Sequence, residues 1–307
     1  MQFGEYLKLC REESNLTQKQ LVDELYNHDI ENFSGLDTNT LGKWERGATK
    51  PKATKQISIL KYFQDFFNLP LPCLNLYNED QIKKLILKKE IKNLFGSTKH
   101  MIYNFPSEMM SCEDIDVYLL RDSARITPVI ESSTHFQQTD NSDFINLSYE
   151  KTKEFALHPD TFFLACDYKG HGLGWMFCMK IKVDVFQKLM NFEMKKSDIT
   201  VEDIASYDEE GSMLLGSYFA MNVKAASMLV LRYYIYLIEN QHTIKEMGGS
   251  TTSSEASKFF QNMNLKRYTT TETDSKQIVS YRQTIKDFFT SDISIQILFS
   301  KDSSIEE

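Results

Sequence analysis

The chain has no run of about 18 consecutive apolar residues, so no segment reads as a membrane span. Its start, MQFGEYLKLCREE, mixes charged and apolar residues. It lacks the basic stretch and apolar block of a signal peptide. No two cysteines form a CxxC pair; the five, Cys10, Cys73, Cys112, Cys166 and Cys178, are scattered. An odd, unpatterned set fits reduced thiols in a cytoplasm rather than a disulfide framework, and it offers no metal spacing. His135, His158, His171 and His242 show no ligand spacing either. A net positive charge is also missing. The formal charge of −8 excludes a protein that is basic all over, but not a local basic footprint.

What is present is enough chain for two domains: 307 residues, 41% of them hydrophobic. The charge is unevenly spread. Residues 1–70 hold 9 Lys/Arg against 10 Asp/Glu, residues 71–100 hold 6 against 3, and residues 101–307 hold 20 against 30. From Lys43 to Lys61, Lys43, Arg46, Lys50, Lys52, Lys55 and Lys61 stand against a single acid, Glu45. Such a patch suffices for a few phosphate contacts, and equally for a solvated helix end.

Phe3, Tyr6, Leu7 and Cys10 recur at helical spacing, which predicts a helix over 2–14. Thr17 with Gln20 forms a capping-box pattern ahead of a second helix that buries Leu21, Val22 and Leu25. Asp37 or Thr38 caps a third, with Leu41 and Trp44 inward, and Gly47 suits a left-handed end. Pro51 forbids continuation, and a further helix, 54–67, buries Ile57, Leu60, Phe63 and Phe67. These residues resemble the lambda-repressor/Cro-type (XRE) helix-turn-helix family. The resemblance is carried by Leu16-Thr17-Gln18 with Leu21 and Leu25, then by Leu41-Gly42-Lys43-Trp44-Glu45-Arg46-Gly47 and Pro51. It implies binding of double-stranded DNA. Gln18 would meet the backbone; Asp37, Thr38, Asn39 and Lys43 would read base edges; Lys50 and Lys52 would lie along phosphates. The connection Tyr26–Leu36 is longer than the family's tight turn, which loosens the assignment of the reading face.

Leu69-Pro70-Leu71-Pro72 reads as a domain edge. Residues 73–100 follow as an amphipathic linker helix, with Ile82, Leu85, Ile86, Ile91, Leu94 and Phe95 on one face and Gly96 at its end. Between 101 and 145 the pieces MIYNF, IDVYLL and ITPVI are candidate strands.

From Asn146 the pattern is a helix to His158 and then two apolar runs around Lys169-Gly170-His171-Gly172, a hairpin signal. An acidic stretch, 195–210, precedes a strand over 213–221 and a long helix over 225–240. A short strand at 244–247, a loop at 248–254, a helix at 255–264 and a strand from Leu265 complete it. The order resembles the GCN5-related N-acetyltransferase (GNAT) fold. The expected architecture is therefore multidomain: an all-α helix-turn-helix domain (1–72), the linker helix (73–100), and an α/β GNAT-like mixed-sheet domain (101–307).

That resemblance places acyl-coenzyme A phosphates at the turn before the long helix. Here this turn is Asn222-Val223-Lys224-Ala225-Ala226-Ser227, without the family's glycines. The family's proton-donating tyrosine falls on Phe260, and its glycine-phenylalanine pair on Asn264-Leu265. Glu209 or Glu210 is a candidate base or a plain acidic loop. The expectation is a cytoplasmic, dimeric, sequence-specific transcriptional regulator without catalytic residues, resident cofactor or metal. Its second domain would sense a small, acyl-CoA-like ligand or mediate assembly. An active N-acetyltransferase with a DNA-targeting domain and an antitoxin-like interaction protein are the alternatives.

Overall fold

A computed structural model describes residues 1–71, 110, 114–138, 146–273 and 276–299. The linker helix expected over 73–100, the MIYNF piece, Cys73 and Cys112 lie outside them. The chain divides into two compact units, one of residues 1–75 with 286–307, the other of residues 76–285. Among the described residues no helix is long and apolar enough to cross a membrane.

In the first unit, α1 (Phe3–Glu13), α2 (Gln18–His28), α3 (Ile30–Phe33), α4 (Thr38–Glu45) and α5 (Ala53–Phe67) follow the apolar periodicity. Thr17 caps α2 with the reciprocal Gln20 bond of a capping box. Leu7, Leu21, Leu25, Leu41, Leu60 and Phe63 are fully buried, whereas Val22, Ile57 and Phe67 stay half-buried. The long connection before α4 is folded. Asp29 caps α3 by accepting from Asn32 N and accepts from Ser58 Oγ at 2.7 Å, and Phe33 plugs the core. The chain's last described helices, α11 (Ile285–Phe289) and α12 (Asp292–Phe299), supply further packing for this unit. Phe299 stands edge-on to Phe3 at 5.1 Å and lies 5.4 Å from Tyr6. Lys286 donates to the Gln64 carbonyl.

The second unit is a seven-stranded mixed sheet. Its strands are β1 (Ile115–Leu119), β2 (Thr161–Tyr168), β3 (His171–Ile181), β4 (Gly211–Ala220), β5 (Ile244–Thr251), β6 (Lys266–Glu272) and β7 (Gln277–Thr284), in the order β1-β2-β3-β4-β5-β7-β6. Every neighbouring pair is antiparallel except β4 with β5. The β2–β3 hairpin closes through Lys169 and Gly170, both at positive φ, as a two-residue turn requires.

Alternate residues of β3 face opposite ways. Trp175, Phe177, Met179 and Ile181 join a core built by α6 (Ile126–Gln138), α7 (Tyr149–Leu157) and α8 (Val183–Met190). The other face is covered by α9 (Val223–Glu239) and α10 (Ser254–Asn262). There the Phe162 ring stacks on Tyr236 at 4.3 Å. Mixed strands flanked by helices, with one parallel pair, make an α/β domain.

Two local expectations are corrected. The ITPVI piece is helical, because Pro128 sits in the first turn of α6, where a missing N–H costs nothing. The 248–254 loop begins as strand. Gly248 to Thr251 extend β5 and pair with Val279 to Arg282 of β7, a strand the sequence patterning had not assigned.

Candidate functional site

The site is organised by the parting of β4 and β5. Their ladder joins Gly211 to Ile244, Met213 to Met247 and Leu214 to Gly248, and ends there. Beyond it, β4 carries a bulge. Cys178 of β3 pairs with Leu215 and Phe177 with Ser217, so Gly216 is the extra residue. A side chain at Gly216 would meet the Phe177 ring at 2.8 Å, which fits glycine at this close approach. β4 then runs on to Ala220, and α9 starts directly after it. A helix N-terminus that follows a strand directly offers N–H groups left unpaired by the helix, which is an anion-binding geometry.

The six residues expected at this turn lie together at the head of α9, but they face different ways. Asn222 is the N-cap; its Oδ1 accepts from Ala225 N at 2.9 Å. Its Nδ2 donates to Met110 Sδ. Ala225, Ala226 and Ser227 are buried, and Ser227 Oγ donates to the Val223 carbonyl. Their small side chains let the first turn rest on the sheet. Only Val223 and Lys224 are partly exposed, and Lys224 Nζ donates to the Met110 carbonyl at 2.5 Å. A ligand here would meet backbone and Lys224 rather than six side chains.

The two departures, in α10 and just after it, look different in three dimensions. Phe260 is buried against Gly249 and Tyr281, whose ring centroid lies 5.3 Å away. Asn264 takes φ +64°, the left-handed conformation that glycine supplies elsewhere and that asparagine tolerates. The neighbouring Tyr218 of β4 stacks on Phe259 at 4.7 Å with its hydroxyl buried, and burial pushes that phenol well up. Glu209 accepts from Ser206 N within its own loop, and Glu210 pairs with Lys245 at 2.6 Å.

Two buried lysines were not singled out by the sequence reading. Lys180 of β3 donates to the Tyr207 and Glu209 carbonyls and to Thr243 Oγ1, which ties the loop before β4 to the turn after α9. Lys196, in the 3-10 turn Lys196–Asp198, is 5% exposed and donates to the Gly216 carbonyl at 2.8 Å. Lys151 of α7 holds that turn through the Ser197 and Ile199 carbonyls. Burial lowers Lys196 from 10.5 to about 8, partly offset by the nearby Cys178 thiol. Nothing in the KKSD string marks one lysine as internal.

In the first unit, Thr38, Asn39, Lys43, Lys50 and Lys52 are exposed, with Leu41 and Trp44 buried beneath α4. Asp37 is committed as the N-cap of α4, accepting from Thr40 N at 2.6 Å, which holds its carboxyl low. Gln18 donates from Nε2 to Glu45 Oε2 at 2.7 Å. Glu45 also pairs with Arg11 Nε at 2.6 Å. The Glu45 of the Trp-Glu-Arg-Gly string is thus a buried hub.

No family model and no curated protein matches the chain. Solved structures do match. The N-acyl amino acid synthase FeeM of uncultured soil microbes has a TM-score of 0.39 and 9% identity, covering 59% of this chain and 95% of that one. The ribosomal-protein-S18-alanine N-acetyltransferase of Escherichia coli has 0.36 and 8%, covering 56% and 94%. An agmatine N-acetyltransferase mutant in its apo form has 0.39 and 9%, covering 56% and 99%. These neighbours carry acyl-transfer names, against the expectation of a chain that is not an enzyme. That expectation is withdrawn. The residues behind it do not decide the matter, because Phe260 is committed to the core and Asn264 reproduces the backbone of the absent glycine.

Proposed function

We propose that the second unit is an acyltransferase that takes its acyl group from an acyl-coenzyme A. The observation that carries this reading is the end of the β4–β5 ladder at Leu214 and Gly248, with β4 running on past it to the head of α9. The donor's phosphates would sit at the positive end of α9 beside Lys224. Its extended arm would run back along β4 to the bulge at Gly216. The six residues from Gly216 to Met221 span about 20 Å at roughly 3.3 Å each, comparable to an extended pantetheine arm.

Titration calorimetry with acetyl-coenzyme A, joined to an assay for released thiol, tests this. The expected result is saturable binding and thiol release. Lys224→Glu should weaken binding about ten- to hundredfold, as loss of a charge-assisted hydrogen bond of about 1.5–3 kcal/mol implies. Absence of binding by the wild-type chain would overturn the reading.

A second reading concerns the first unit and is favoured by the exposed polar face of α4 over its buried anchors. There the chain binds double-stranded DNA, as a homodimer because one helix reads only a short half-site. Thr38, Asn39 and Lys43 would enter the major groove, with Lys50 and Lys52 on phosphates. Gel shifts on the DNA upstream of its own gene should weaken for Asn39→Ala and Lys43→Ala. Unchanged binding by both would remove α4 as the reading helix.

A further inference from the structure

We propose that Lys196 is the proton donor to the leaving thiolate of the acyl donor, the role for which Phe260 has no hydroxyl. The inference rests on the acyltransferase reading above and adds a residue to it. Its basis is position. Gly216 is the extra residue of the β4 bulge, two residues past the last β4–β5 pair, and the Lys196 ammonium is hydrogen-bonded to its carbonyl. An arm laid along β4 from α9 brings its sulfur end to this bulge. The lysine is held there: Lys151 fixes the turn behind it, and the amine reaches the bulge from a buried stem.

The surroundings suit a proton donor. Cys178 of β3 lies beside the amine, buried, with burial pushing its thiol up, and the buried Tyr233 of α9 lies near that thiol. Asp198 and Lys195 belong to the same turn, with Asp198 accepting from Lys195 N. The ammonium is lowered to about 8, close to the range of an ordinary thiol, so transfer to a thiolate is nearly balanced. The Tyr218 phenol, also in the region, is pushed up and is a far weaker acid.

In the proposed step a primary amine adds to the thioester carbonyl, the new C–N bond forms and the C–S bond breaks. The departing thiolate takes a proton from Lys196 Nζ. The nitrogen of the new amide loses its extra proton to solvent, and solvent reprotonates Lys196 for the next turnover.

The test is the pH dependence of kcat for thiol release from acetyl-coenzyme A with a panel of aliphatic primary amines. Binding is followed by calorimetry and folding by circular dichroism. Wild-type kcat should fall above about pH 8. Lys196→Met, close in volume, should lower kcat at pH 7 by about 10²- to 10⁴-fold and abolish that fall, with the calorimetric Kd little changed. Lys196→Arg keeps a charge at the bulge but cannot give up its proton, and should stay low. Three outcomes would overturn the donor role while leaving the acyltransferase reading intact: a basic limb that survives in Lys196→Met, activity restored by arginine, or loss of the limb in Tyr218→Phe instead. A wild-type chain that does not bind acetyl-coenzyme A would overturn both.

Discussion

Replacing Glu45 with alanine is expected to destabilise the first unit by about 3–5 kcal/mol, the usual cost of breaking a buried ion pair from one side. The Glu45 side chain is 4% exposed and that of Arg11 13%, so the abandoned guanidinium has little water to turn to. Arg11 would keep its bond from Nη1 to the Leu16 carbonyl but lose both oxygens of Glu45. Gln18 would lose its acceptor as well. One substitution thus loosens α1, α2 and α4 together. The measurement is urea unfolding followed by Trp44 fluorescence in a Trp175→Phe background, since the chain has only these two tryptophans. A loss below about 1 kcal/mol would place the pair among surface ion pairs and remove its structural role. The double replacement Arg11→Met with Glu45→Leu should recover most of the stability, because no charge is then left buried.

The same pair shows what patterning can and cannot reveal. Leu21, Leu25, Leu41, Leu60 and Phe63 were legible because helical periodicity marks an inward face whatever lies opposite. The Lys169-Gly170 hairpin was legible because two apolar runs flank a short polar string with glycines. Glu45 was not, since a glutamate among lysines reads as a solvated charge until Arg11, 34 residues away in sequence, is brought against it. Local signals also failed where a strand is completed by a distant partner. Gly248-Gly249-Ser250-Thr251 has the composition of a loop and becomes strand because β7 supplies its hydrogen bonds. At the candidate site the turn 222–227 was found from its place between strand and helix. The residues that surround it, Met110, Gly216 and Lys196, come from elsewhere in the chain. The small residues expected to contact a ligand instead anchor the helix, because a first turn that rests on a sheet must bury one side.

The wild-type chain should gain stability relative to Lys196→Met between pH 7.5 and 10, by roughly 2–3 kcal/mol. Burial holds the Lys196 ammonium at about 8 in the folded chain, against the ordinary 10.5 when unfolded. Below pH 8 both states carry the proton, and the folded state bears the full cost of a desolvated charge. Between about 8 and 10.5 the folded chain has released the proton while the unfolded chain still holds it. The unfolded state then binds more protons, so stability rises with pH. Above 10.5 both are neutral and the gain is complete. Tyrosines and exposed lysines also titrate in this range, but they are common to both proteins and cancel in the difference. Urea midpoints measured at half-unit steps, converted with a shared slope, give the curve. Parallel curves for the two proteins would mean that Lys196 is not a desolvated ammonium, and would take from the bulge the acid on which the proposed proton transfer depends. A difference that grows from pH 8 upward would show that the fold itself holds this amine poised to lose its proton, before any ligand is added.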